Sequence, residues 1–358
     1  MISSDVRHAI GRAVAAAGLA PADPRLRPTG TPGQYASSVA FAFSEPAGRV
    51  AARLAAELDQ DEHLGRAEVT GPGFITITVR PEALAGLPER IVAAGPACAS
   101  SDALLGRTVP VPPPADPLAA AGWEEARAAL AAQLTARLAA AAGATAADHR
   151  HSERSLNSDP RPHDPAPEIT AAVAFAGADT VRFSLARAIP GRPVAIDPLI
   201  IARHMIDNPA YAVRYAHARA ASGERWAAAV SRGEDPPYPL MRWLAGPMKG
   251  EDIGPASQRG YLGNASSGVL VLLDALSWLP ERVATAARRG RPDEFARYLE
   301  ELARAAIAAL ICAVPASPAG DPESARAPGA DRLGVAGAAR TGLAAGLGLL
   351  GVSAPDRL

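Results

Sequence analysis

Three groups of residues in this chain have types and spacings that could do chemistry. The first is a polar tract, His149 to Pro167, in which His149, His151 and His163 stand with Asp148, Glu153, Asp159 and Asp164 at hand. Imidazoles and carboxylates bind metals and move protons. A polar tract with no apolar framework cannot hold such groups in a fixed geometry, so it reads as a solvated, proline-rich linker. No metal and no cofactor are expected. The second group is helical: Tyr211, Tyr215 and Arg219 step by four and share one face, with Arg214 and His217 on the neighbouring face. Such rings stack on unpaired bases while arginines contact phosphates; the competing reading is that the tyrosines are core residues whose hydroxyls reach polar neighbours. The third is Phe74, which follows Gly71-Pro72-Gly73, where glycine permits a close backbone approach.

Charge and composition narrow these options. Alanine and arginine are abundant, Lys249 is the only lysine, and the 358 residues carry a net charge of −1, so any basic footprint is local. Between Arg182 and Arg242 there are nine arginines against five acidic residues, a positive stretch suited to tracking phosphates. Cys98 and Cys312 fit no metal spacing and read as buried thiols in a reducing compartment. Met1 to Gly18 is amphipathic, unlike a signal peptide, and the apolar run Thr341 to Val352 is too short to span a bilayer. A cytoplasmic protein without a membrane partner is expected.

The elements that must position these residues fall into an α+β arrangement. A helix begins near Ser3-Ser4-Asp5 with Val6, Ile10 and Val14 on its apolar face, and Pro21 to Pro28 breaks it. Thr29 to Gln34 reads as a turn, a helical stretch follows from about Tyr35, and Ser44 caps a further helix through Val50, Leu54 and Leu58. Strands are expected at Arg66–Thr70 and Phe74–Val79, then a helix from Pro81 to about Ala94. Val109 and Val111 suggest a strand before the alanine-rich helix Trp123–Ala142. Beyond Glu168 the pattern is helical: Glu168–Ala176, Ala178–Ala188, Pro198–Arg232, Asn264–Leu279, Glu281–Gly290, Pro292–Cys312 and Leu333–Leu350. Breakers lie at Pro190-Gly191, Pro236-Pro237 and Gly246 to Gly254, and Val314 to Ala330 reads as a mobile loop.

The segment Asp207-Asn208-Pro209-Ala210-Tyr211-Ala212-Val213-Arg214-Tyr215-Ala216-His217-Ala218-Arg219 closely resembles the opening of the anticodon-binding (DALR) domain of class I arginyl-tRNA synthetases. Gly177 to Phe183 resembles the segment leading into that domain, and Leu349 to Pro355 the family's C-terminus. Phe295 to Leu299 falls where the family has a similar helix. Gln34 to Ala40 and Gly71 to Ile75 resemble its N-terminal additional domain. The resemblance implies three parts: residues 1–100 as a domain that meets the tRNA elbow, 101–167 as a remnant of the catalytic domain plus the linker, and 168–358 as the anticodon-binding bundle. It implies tRNA contacts at Asn208, Tyr211, Arg214, Tyr215, His217 and Arg219, and at Gln34, Tyr35, Phe74 and Thr76.

The departures bear on activity. In the family a nucleotide-binding domain of a few hundred residues separates the two parts; here about sixty residues do. Where a His-x-Gly-His loop would follow Val109 and Val111, the chain has Pro117-Leu118-Ala119-Ala120-Ala121-Gly122-Trp123, whose alanine and glycine side chains cannot donate to phosphate. One β–α unit is too little for a nucleotide site built at the ends of parallel strands. Thr76 replaces a frequent asparagine, and Ala305 to Cys312 lacks the aromatic residues usual there. The expectation is a tRNA-binding protein, for arginine tRNA by resemblance, without ligase activity. The alternative is a module that partners a true synthetase or a metabolic enzyme; residual or split ligase activity with ATP ranks third.

Overall fold

The computed structural model describes residues 2–61, 64–110, 112, 116–147, 166–231, 268–311 and 328–358. The N-terminal part pairs helices with a four-stranded antiparallel sheet. Its elements are α1 (Ile2–Ala16), β1 (Leu26–Pro28), β2 (Gln34–Ser37), α2 (Ala47–Leu58), β3 (Leu64–Thr70) and β4 (Phe74–Val79), followed by α3 (Pro81–Ala85) and α4 (Leu87–Ala94). The strand order is β1-β2-β4-β3. Along β4, Ile75, Ile77 and Val79 are buried and alternate with Phe74, Thr76 and Thr78, the half-buried strand expected from the sequence.

The helical stretch expected from Tyr35 is instead β2. Tyr35 and Ser37 point inward and lie opposite Ile77 and Ile75 of β4, so sheet pairing outweighs local helix propensity. The helix expected from Pro81 to Ala94 is split at Gly86 into α3 and α4. In the turn between β3 and β4, Gly71 has φ +60°, and a side chain at Gly73 would meet Ala47 and Phe41, so both glycines are required there.

Next come β5 (Thr108–Val109), α5 (Trp123–Ala141) and β6 (Thr145–Ala146). The two short strands pair in parallel, which makes one βαβ unit around α5. Leu130, Leu134 and Leu138 of α5 are buried.

The rest is helical: α6 (Pro167–Ala176), α7 (Ala178–Arg187), α8 (Pro198–Ile201), α9 (Pro209–Ser231), α10 (Gly268–Ser277), α11 (Leu279–Arg289), α12 (Pro292–Ile311) and α13 (Pro328–Leu349). The single helix expected over Pro198–Arg232 is interrupted between Ile201 and Pro209. Proline has no N–H to continue a helix through its own position and sits at the first turn of α9. The loop expected to reach Ala330 ends earlier, because α13 starts at Pro328. The histidine-bearing tract, Cys312, Pro236-Pro237, Gly246 to Gly254 and most of Val314 to Ala330 lie outside the described residues. Among the described residues no single helix is long and apolar enough to cross a membrane.

One buried core runs through both halves, and a polar seam joins them. Arg7 of α1 donates through Nε and an Nη to Glu281 of α11, at 3.1 and 2.5 Å, with both residues buried. Arg7 also reaches Asp23, which Arg288 meets from the other side. Burial alone would raise the Asp23 carboxyl; Arg288, the Arg25 N–H and Arg7 outweigh it and hold the group below its ordinary range. Nearby, Ser277 Oγ donates to the Asp274 carbonyl and so accepts from the Tyr35 hydroxyl at 2.6 Å. Ser3 donates to the Ser277 carbonyl, and the Gly33 N–H to the Asp274 carboxylate. Burial pushes that carboxyl above its usual range.

Two measurements check this seam. Arg7→Ala leaves Glu281 as an uncompensated buried charge and is expected to cost about 3–5 kcal/mol in denaturant unfolding, whereas the Arg7→Met, Glu281→Leu pair recovers most of it. Asp274 is disfavoured as an anion in the folded chain, so its ionisation weakens folding as pH rises from the ordinary carboxylate range through its raised value. Asp274→Asn is therefore expected to raise Tm at pH 7, with the gain fading as the pH falls below about 4.

Candidate nucleic-acid interface

The helix α9 begins where the chain leaves an exposed loop, residues 202–208, and that junction is built by Asn208. The Asn208 Nδ2 donates to the carbonyls of Ile201 and Arg203 at 2.6 and 2.7 Å, while the backbone carbonyl of Asn208 accepts from the Ala212 N–H as the first turn of α9 closes. Buried, and with both Nδ2 hydrogens donated, the amide ties the end of α8 to the start of α9. The loop is thereby held with the His204 ring against Tyr211, centroids 5.2 Å apart and planes within 11°. Tyr211 in turn lies 5.6 Å from Tyr215, at 21°. The three rings form a stacked ladder whose most accessible member is His204. With Met205, Ile206 and Asp207 they line an open depression of about 570 Å³, within the size range of ligand sites.

Arginines surround this ledge. Arg203 is exposed and its guanidinium has no partner among the described residues. Arg214 lies 4.0 Å from Asp179, and its Nε, like that of Arg219, is buried without a partner and turned from solvent. His217 is turned away: it is 2% exposed and its Nδ1 lies 2.9 Å from the Pro355 carbonyl, so it fastens the C-terminal tail to α9. Arg225 and Arg340 hold the same tail through Asp356.

In the N-terminal half the predicted residues separate by burial. Phe74 is exposed and packs against Phe41, also exposed, with ring centroids 5.0 Å apart. Thr76 shares a 2.6 Å hydrogen bond with Thr70 on the outer face of the sheet. Gln34 is partly exposed beside Thr29. Tyr35, by contrast, is fully buried in the seam, its ring tilted 34° to that of Trp278 with centroids 4.7 Å apart. The structure thus groups Tyr211, Tyr215, Arg214 and Arg219 on one helix and Phe74 with Thr76 on one hairpin, and it turns Tyr35, Asn208 and His217 into the fold. Sequence reasoning missed His204 and Phe41. His204 stands outside the i, i+4 pattern because it precedes α9, and only the Asn208 link brings it onto Tyr211.

Comparison with known proteins places the chain. Its N-terminal residues 2–79 match the model of the arginyl tRNA synthetase N terminal domain, and residues 213–358 match that of the DALR anticodon binding domain. The matched parts are therefore those of a tRNA-synthetase-related protein with a C-terminal helical anticodon-binding domain. Curated relatives agree. The chain is 32% identical over 205 residues to an arginine–tRNA ligase of Bifidobacterium longum subsp. infantis, covering 52% of this chain and 29% of that relative. It is 34% identical over 197 residues to the ligase of Micrococcus luteus, covering 53% and 31%. Among solved structures, Thermus thermophilus arginyl-tRNA synthetase shares the fold, with a TM-score of 0.60 at 14% identity over 100% of both chains. The chain belongs to the arginyl-tRNA synthetase family and spans about a third of the length of the curated relatives it matches.

Because Asn208 supports both the loop and the first turn of α9, Asn208→Ala is expected to cost about 1–2 kcal/mol in thermal or chemical unfolding. Amide exchange should accelerate across residues 202–208 while the body of α9 stays protected.

Proposed function

We propose that this chain is a tRNA-binding protein without ligase activity that engages tRNA, with arginine tRNA the first candidate, through its helical and N-terminal parts. The observation that carries the reading is the ring ladder of His204, Tyr211 and Tyr215 at the start of α9, open to solvent at His204 and beside the exposed, unpaired guanidinium of Arg203. Rings of this kind stack on unpaired bases irrespective of sequence, and free guanidiniums meet phosphates. Tyr211, Arg214, Tyr215 and Arg219 make the helical contact, and Phe74, with Phe41 beside it, and Thr76 make the N-terminal one. In this reading residues 1–100 meet the elbow, 101–167 are the catalytic remnant and linker, and 168–358 read the anticodon arm, in the cytoplasm.

The non-catalytic half of the proposal draws support from α5. In a nucleotide-binding βα unit the helix N-terminus receives phosphate. Here Glu125 accepts from the Ala121 N–H at 3.0 Å and Glu124 accepts from the Val194 N–H at 2.9 Å, so two carboxylates crowd that end. They repel a phosphate instead of binding it. The exposed apolar residues Phe175, Leu199 and Ile200 favour a second reading, in which a partner protein docks on α6 and α8.

Titration of labelled total tRNA and purified arginine tRNA at two salt concentrations tests the proposal. Binding is expected to weaken steeply with salt, and Tyr211→Ala or Phe74→Ala to reduce affinity about tenfold each. Arginine-dependent ATP–pyrophosphate exchange is expected to be absent. Failure to bind any tRNA at low salt sinks the proposal and favours the docking reading.

A further inference from the structure

We propose that the apolar face formed by α6 and α8 is where a second copy of this chain docks, about a two-fold axis that sets Phe175 of each copy against Leu199 and Ile200 of the other. This contact is independent of tRNA binding and gives the surface a single occupant.

Helix α6 is apolar on every side. Of its ten residues only Glu168 and Thr170 are polar, and the Thr170 hydroxyl is spent on the Ala166 carbonyl. A helix of that composition is normally enclosed by its own chain, yet only Ile169 and Ala172 are buried. Ala171, Ala174 and Phe175 face outward, and Phe175 is 60% exposed. Beside it α8 packs against α6 and adds Leu199 and Ile200, 66% and 53% exposed. Contiguous apolar surface of this kind marks an interaction site. The loop into α8 is fastened from behind: Arg127 donates to the carbonyls of Ile189 and Arg192, at 3.0 and 2.6 Å, and Glu124 accepts from the Val194 N–H. Asp197 caps α8 by accepting from the Leu199 N–H. The face is therefore preformed, and docking costs little ordering entropy.

Charge selects the occupant. Among the exposed residues of 167–178 and 190–200 only Glu168, Arg192 and Asp197 are charged, the depletion found at the centre of protein interfaces. Asp197 is engaged as the cap of α8. Glu168 and Arg192 carry opposite signs, and neither side chain has a hydrogen-bond or ion-pair partner among the described residues. A surface with one free acid and one free base is complementary to itself. A two-fold axis brings Glu168 of each copy to the partner's Arg192 and forms the pair twice. A partner with a uniformly acidic or basic face would leave one of the two opposed by its like. Three large apolar side chains per copy make a small centre by the measure of a standard interface, roughly 800 Å² per partner, so a micromolar association is expected instead of an obligate dimer.

Sedimentation velocity of the full chain, free of nucleic acid, from about 1 to 100 µM tests the contact. The sedimentation coefficient is expected to rise from monomer to dimer with a midpoint on the order of 10 µM. Phe175→Asp should raise that midpoint by at least about a hundredfold, out of the range. Leu105→Asp, which removes a still more exposed apolar side chain outside α6 and α8, should leave it unchanged. Glu168→Arg and Arg192→Glu should each weaken association about tenfold, and the two combined should return it to within about threefold of wild type, because the swapped pair is again opposite in sign. Circular dichroism checks that these surface variants keep the fold. A monomer at every concentration, or a dimer that Phe175→Asp leaves intact, overturns the contact. A lack of rescue in the double variant overturns the two-fold pairing. A monomer that instead holds a different protein in stoichiometric amount gives the face to that partner and overturns the second copy. None of these results touches the tRNA-binding reading, which the tRNA titrations decide on their own.

Discussion

The contact between Arg7 and Glu281 sets the terms for the rest of the structure. Two opposite charges are taken out of water together, and neither is tolerable there alone. Their pairing requires α1 to lie on α11, which fixes the N-terminal sheet against the helical bundle. Asp23 extends the pair to Arg288, and the Ser3, Tyr35, Ser277 and Asp274 bonds repeat the same connection a few ångströms away. Buried ion pairs contribute less to stability than their Coulomb energy suggests, because desolvation opposes it. What they supply here is direction. An apolar seam would accept many relative placements of the two halves, whereas this one leaves a charge or a hydroxyl unpaired in all but one.

That constraint explains how much was legible in the sequence. The alternation along β4 and the leucines of α5 are local patterns, and each element falls where its period places it. The N-terminal and anticodon-domain resemblances were carried by short ordered motifs and so survived heavy drift elsewhere. Tyr35 was misread because its conformation answers to residues remote in sequence. A β-strand of four residues has no local signature when its partners are Ile77 on one side and Ser277 on the other. The break before Pro209 was missed for a related reason: helical composition continues through Ile206, but the Asn208 side chain takes the carbonyls that a continuous helix would need.

The candidate site was half legible. Four-residue spacing put Tyr211, Tyr215 and Arg219 on one face, and the structure keeps them together on α9. Spacing could not tell which polar side chains are consumed by the fold. His217 lies in the same run and is closed off by the Pro355 carbonyl, because the C-terminal tail returns across α9. A sequence cannot announce a contact that depends on a chain end 138 positions away.

The same logic separates the site's supporting residues from its exposed ones. Asn208, just before α9, and His217, on it, are polar and spend donors or acceptors inside the chain. His204, Arg203 and Asp207 are polar and have no polar side-chain partner among the described residues. A folded protein that buries and pairs an amide in order to hold an imidazole against a phenol has committed hydrogen-bonding capacity to the geometry of that ring. The stabilisation from the ring contact alone, roughly 0.5–1.5 kcal/mol, is no more than the two Asn208 bonds contribute. The loop's shape is thus held from below by Asn208, and the ladder's outer face is left open to solvent. An aromatic surface positioned this way, flanked by unpaired charge of both signs, is suited to a flat polar ligand and poorly suited to an apolar protein face. That distinction favours a base over a protein at this ledge, and it leaves α6 and α8, with Phe175, Leu199 and Ile200, as the surface where a protein partner would find apolar area.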